Sequence, residues 1–232
     1  MLGVLVSLHA IDRLPPRAAR AAAALLALGL IDCTGAGDGA VTGPVSIPVC
    51  RVGGTYDLHP SFYGADRYGT MMWIRIQDGG GSEEYADSLT IAIRDTGEIA
   101  RRIAASTTLD AQGRPVVTLP VGAASDPTVL VSALFTPSWS CGRRKVTRLG
   151  QTVGLPSVAG TITFRSVDDP GGAGSNPRLT DVTNFRFELR DDRPVGPNNV
   201  SGVSPDGPVG NAELSGWFRF VFSESVPAQM FR

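Results

Sequence analysis

Three cysteines carry the thiol chemistry of this 232-residue chain: Cys33, Cys50 and Cys141. An odd count leaves one thiol outside any intramolecular bridge. If Cys33 is taken by other chemistry, Cys50 and Cys141 form an even pair, ready for one disulfide in an oxidising compartment. That bridge closes a loop of about 90 residues, worth about 4.5 kcal/mol in the chain-entropy picture. Two buried free thiols are the other reading. A structural zinc site takes four Cys or His ligands. Beyond the first forty residues the chain has only Cys50, Cys141 and His59 to offer, so no metal site is expected there. The remaining histidine, His9, lies near the start.

Catalytic constellations are sparse. A Ser-His-Asp or Cys-His site would need His59 as its base. No Gly-x-Ser-x-Gly elbow accompanies it, and Tyr56-Asp57-Leu58-His59-Pro60 reads as a turn. A carboxylate pair works without histidine, and Asp57, Asp66, Glu83, Glu84, Asp87, Asp168, Asp169, Asp191 and Asp192 are the acids available. Most fall in turns, where Asp bonds the backbone. No catalytic residue is assigned, and a non-enzyme is expected; an extracellular hydrolase with a carboxylate pair is the alternative. Calcium (Ca2+) is the one ion these loops suit, through Asp168-Asp169 or Asp191-Asp192; otherwise no cofactor is expected. Gly79-Gly80-Gly81-Ser82 lacks the Gly-Lys-Ser/Thr of a phosphate loop and reads as a hairpin tip.

Aromatic residues give a sharper candidate. Tyr56, Phe62, Tyr63, Tyr68 and Trp73 fall within eighteen residues. Flat rings with polar edges suit stacking on a sugar or a peptide. Tyr63, Tyr68 and Trp73, with Trp139, are therefore the candidate ligand-binding residues of a carbohydrate-binding module. Arg143-Arg144-Lys145 with Arg148 is the dense basic patch, suited to anionic lipid or polysaccharide or to a solvated strand face. The net charge of −1 argues against a general nucleic-acid binder, which needs a cationic footprint.

The N-terminal segment reads as a targeting signal. Arg13, Arg17 and Arg20 precede Ala21 to Ile31, eleven uncharged apolar residues. A membrane-spanning helix needs about 20 such residues; a secretory signal needs about 7–15 behind a basic stretch. The run continues as Leu30-Ile31-Asp32-Cys33, which resembles the lipobox of bacterial lipoproteins. Leu30 matches the family's position three before the cysteine; Asp32 stands where a small residue is usual. The resemblance implies lipidation of Cys33, which becomes the new N-terminus, and a membrane partner held through that lipid. It implies an exported protein at the outer membrane or cell surface. Cleavage after Ala36 or Ala40 is the alternative, giving a soluble periplasmic or secreted protein. Residues 1–32 are then a signal peptide and 33–44, rich in glycine, a flexible tether.

Residues 45–232 must position these groups, and their pattern is short alternating segments between Gly and Pro turns. Met72, Ile74 and Ile76 share one face, opposite Trp73. Leu89–Arg94, Val116–Val121, Thr128–Phe135, Thr161–Arg165, Thr183–Arg190 and Leu214–Phe222 are further strands. Glu98–Ala105 fits a helical turn or a strand. The expected fold is all-β, an antiparallel β-sandwich of about nine to eleven strands after the N-terminal signal helix. A sub-boundary near 151–160 leaves two small β-domains as the alternative. Long loops are expected at Asp168–Pro177 and Asp191–Asn211. The C-terminal strands resemble those of β-rich surface lipoproteins. The functional expectation is a non-catalytic envelope or cell-surface module, structural or binding an unknown protein or polysaccharide.

Overall fold

The computed structural model describes residues 37–78, 86–142, 153–169, 178–194 and 208–222. The expected signal segment, Cys33, residues 79–82, expected as a hairpin tip, and the basic residues 143–148 lie outside these. The chain divides into two units, Met1–Cys33 and Thr34–Arg232, and every described residue belongs to the second.

The described residues hold ten strands: β1 (Gly37–Ile47), β2 (Val52–Leu58), β3 (Phe62–Tyr68), β4 (Met71–Asp78), β5 (Asp87–Ile93), β6 (Val117–Pro120), β7 (Val131–Pro137), β8 (Leu155–Asp169), β9 (Arg178–Pro194) and β10 (Pro208–Phe222). Two helices join them, α1 (Thr96–Ala104) and the one-turn α2 (Ser138–Gly142). The strands are antiparallel and run in the order β2-β1-β10-β9-β8-β7-β5-β4-β3, with β6 also on β8. The fold is thus all-β, as expected, and forms one continuous sheet curled into a sandwich rather than two small domains.

The expected boundary at 151–160 is the corner of that sheet. β8 pairs with β7 through Leu155 and Pro156, then with β9 from Ser157 to Asp169. Where β7 peels away, β6 takes its place against Thr161–Phe164. Four register irregularities along β8–β9 bend and twist the strand, as bulges do, and let one strand serve both layers.

Alternation fills the space between the layers. Phe185, Phe187 and Leu189 of β9 and Phe218, Phe220 and Phe222 of β10 are buried from one side. Met72, Ile74 and Ile76 of β4 and Leu89, Ile91 and Ile93 of β5 are buried from the other. Each fully buried Phe contributes about 1.5–3 kcal/mol. Phe185 and Phe187 stack at 4.7 Å, and Tyr56 meets Phe135 edge-on at 5.2 Å across the layers.

Several boundaries differ from expectation. Residues 37–44, read as tether, belong to β1, paired with β10 and β2. Glycine here serves close packing, not freedom: a Cβ on Gly37 would lie 2.4 Å from the Tyr63 ring. Tyr56 and Asp57, read as a turn, lie in β2, and the turn begins at His59. The 191–211 loop shrinks, since β9 runs to Pro194 and β10 starts at Pro208; Asp168 and Asp169 likewise close β8. β7 starts at Val131, not Thr128, because the Asp126 side chain accepts from Thr128 and Leu130 turns at φ 31°. Glu98–Ala105 resolves as helix, nucleated by Asp95, whose carboxylate accepts from the Glu98 N–H at 2.9 Å.

Candidate functional site

The cysteine chemistry lies at one end of the sandwich. β1 ends in a 3-10 turn, Pro48–Cys50, closed by Arg51 at φ 54°. On the other layer β7 ends in α2, which carries Cys141. Cys50 and Cys141 are bonded, with Cα atoms 4.9 Å apart and 91 residues of separation. Both are buried.

Asp87 of β5 aligns this junction. Its carboxylate is buried and accepts from the Tyr56 hydroxyl at 2.7 Å, from the Ser140 N–H at 2.9 Å and from the Ser140 hydroxyl. One acid therefore ties β2, β5 and α2 together, one residue away from the bridge. Burial, and then the Asp87 charge, push the Tyr56 phenol far above its ordinary range. Asp78 stands opposite Asp87 in the β4–β5 register, a pairing that spacing alone did not reveal. Both Asp87 oxygens are occupied by donors, which makes this carboxylate a clamp and not a free acid or base.

The other acids are held by arginines. Asp168 lies 3.1 Å from Arg67 and 3.5 Å from Arg178, and its side chain is mostly buried. Two guanidinium groups already supply the positive charge that calcium would bring. Arg165 bridges Asp110, at 2.7 Å, and Asp181, at 2.9 Å, pinning the 106–116 loop onto β8 and β9. Asp192 pairs with Arg190 at 2.8 Å. No group of three or more metal-ligating side chains exists among the described residues. His59 stands exposed between β2 and β3, 3.2 Å from Asp57, which is also exposed.

The aromatic quartet divides. Tyr63 is buried, stacked on Phe220 at 6.0 Å and packed over Gly37; it is part of the core and offers no face to a ligand. It is held there by its neighbours in register, since Tyr63 opposes the inward-facing Ile76. Trp139 is on α2, beside the disulfide, at the end of β4 and β5 marked by Asp78 and Asp87. Trp73 is five residues from Asp78 along β4, so Trp139 does not join it. Tyr68 and Trp73 do meet, 5.4 Å apart at 60°. They share the outer face of the β3–β4 hairpin, where Gly69 turns at φ 64°. Rings so tilted do not make one flat stacking plane; they make a small exposed wedge, to which Met71 adds its thioether. Sequence reasoning passed over Met71, although its place two residues before Trp73 puts it on the same face.

Comparison with protein-family models, curated proteins and solved structures finds no match for this chain.

Proposed function

We propose that this is an exported, non-catalytic module of the bacterial envelope or cell surface, lipid-anchored at Cys33 and built to present a rigid β-sandwich. The carrying observation is the Cys50–Cys141 disulfide. It leaves Cys33 as the one cysteine outside that bridge, two residues after the end of an apolar run of signal length, with Asp32 between them. A structural disulfide belongs to an oxidising compartment, which agrees with export.

The occupied Asp87 clamp and the arginine-paired acids favour a structural or binding role over hydrolysis. The sugar-binding reading keeps only Tyr68 and Trp73 of its four rings.

The test is metabolic labelling with palmitate, followed by fractionation. Label in the membrane fraction that is lost in Cys33→Ala supports the anchor. Unlabelled protein in the soluble fraction overturns it. Mass spectrometry of the intact chain places the new N-terminus.

A further inference from the structure

Four large apolar side chains stay exposed at one end of the sandwich: Tyr68 at 65%, Met71 at 42%, Trp73 at 44% and Leu130 at 46%. Tyr68 and Met71 oppose each other across the β3–β4 turn. Trp73 follows on the same outer face. Leu130 lies past the end of β5 at this same end, where its carbonyl and that of Val129 accept from the Arg94 N–H at 3.2 and 3.0 Å.

This is also the end at which the chain enters the fold. Gly37, the first residue of β1, opposes Phe220, and Tyr63 stacks on Phe220. Four residues on, Arg67 reaches Asp168 of β8. From β1 to β8 is three strand spacings, about 14 Å, and four residues of strand advance about 13 Å. β3 therefore runs across the end of this layer, from the start of β1 to the end of β8. Tyr68 and the turn at Gly69 emerge just beyond. The Cys50–Cys141 bridge follows the far end of β1, and Trp139 stands two residues before Cys141 on α2.

Only Thr34, Gly35 and Ala36 separate Cys33 from Gly37. Fully extended, they let the two Cα atoms part by no more than about 14 Å. An acylated Cys33 lies at the membrane surface, so this end of the sandwich is confined to within that reach of it.

We propose that this end seats on the lipid bilayer, with Tyr68, Met71, Trp73 and Leu130 entering the boundary between headgroups and acyl chains. The proposal rests on the lipid anchor at Cys33 and names the surface the anchored domain contacts. Tyr and Trp favour that boundary, where the ring meets apolar chains and the polar edge meets water. The short tether makes contact intramolecular, so a weak intrinsic affinity suffices. The lipid holds the molecule, and the wedge fixes its orientation, turning the disulfide end outward.

The test uses tryptophan as a depth reporter. Two forms of the full chain are produced, one with Trp73 alone (W139F/W217F) and one with Trp139 alone (W73F/W217F). Intact mass reports whether Cys33 carries lipid, which decides the anchor separately. Where the chain keeps Cys33 without lipid, a maleimide lipid is coupled to that thiol, the one cysteine outside the disulfide; where cleavage has removed Cys33, the anchor and this proposal are both overturned. Both forms are then placed in phosphatidylcholine vesicles brominated on the acyl chains. The expected result is loss and blue shift of Trp73 emission with Trp139 unaffected, and recovery of Trp73 emission in Y68S/M71S. Circular dichroism verifies that this variant is folded. Equal quenching of both reporters, or of neither, overturns the proposal. So does a change in Trp73 emission on adding soluble polysaccharide without vesicles, which would make a glycan the occupant.

Discussion

The Tyr56 hydroxyl donates to Asp87 at 2.7 Å, although the two residues stand 31 positions apart and on opposite layers of the sandwich. Ser140 donates to the same carboxylate. Removing the acid strands all these donors in the interior. Asp87→Ala is expected to cost about 2–3 kcal/mol, near the top of the range for buried donors left without an acceptor. Tyr56→Phe removes one donor and leaves Ser140, so about 1 kcal/mol is expected. Urea unfolding of both variants checks the ranking; a smaller loss in Asp87→Ala than in Tyr56→Phe would refute the clamp.

Alkaline stability follows from the same burial. Desolvation, then the Asp87 charge, hold Tyr56 protonated far above the usual range, and desolvation, then the Asp38 charge, raise Tyr63 to about 12. An unfolded tyrosine ionises near pH 10. Above that pH the unfolded chain holds fewer protons than the folded one, so stability falls as pH rises. It is fully present below about pH 10 and declines through about pH 12. Urea midpoints measured across this range are expected to fall, and to fall less steeply in Tyr56→Phe and Tyr63→Phe. A flat profile in the parent protein would contradict the assignment.

The bridge is expected to be the largest single contributor among covalent and polar features. Closing 91 residues is worth about 4.5 kcal/mol on the chain-entropy account. The double variant Cys50→Ser/Cys141→Ser should lose close to that amount in denaturant unfolding. Because both sulfurs are buried, reductant alone should act slowly on the folded protein and rapidly once urea opens it. Fast reduction under native conditions would place the bridge in a locally open region.

The alternation of Met72, Ile74 and Ile76 against Trp73, and of Phe218, Phe220 and Phe222 against Trp217, made the sheet readable, because a half-buried strand writes its own period. The pair Cys50 and Cys141 was readable once Cys33 was set aside by its likeness to a lipobox cysteine. What escaped depends on contacts distant in sequence. Gly37 and Gly39 look like linker until Tyr63 and Phe218 are seen against them. Tyr63 and Tyr68 are chemically alike, yet one sits under Phe220 and the other projects at the hairpin end. Five residues put the two rings on opposite faces of β3, and only the packing of the second layer says which face is covered. Asp168 showed its acidity but not the two arginines that neutralise it, since Arg67 comes from the other layer.

Gly216 supplies a test of the close approach of β1 and β10. A Cβ there would lie 1.9 Å from the Ala40 carbonyl oxygen and 3.0 Å from Phe185. The β10–β9 register shifts between Gly216 and Phe218, while on the other edge of β10 Gly216 pairs in unbroken register with Val41 of β1. Ala40 is backbone held by the β1–β10 ladder itself, so it cannot swing aside as a long side chain would. Gly216→Ala must push β1 outward, weakening its pairing with β10 and dragging β2 with it. A loss at or beyond the 1–3 kcal/mol typical of overpacking is expected. Gly53→Ala is the control: it lies in β2, and the nearest atom to its Cβ is the Val45 oxygen at 3.8 Å. That change should stay within about 0.5 kcal/mol of the parent, as surface substitutions usually do. Equal unfolding midpoints for the two variants would mean that the strands have room to spare at Gly216, and the tight β1–β10 seam would have to be redrawn.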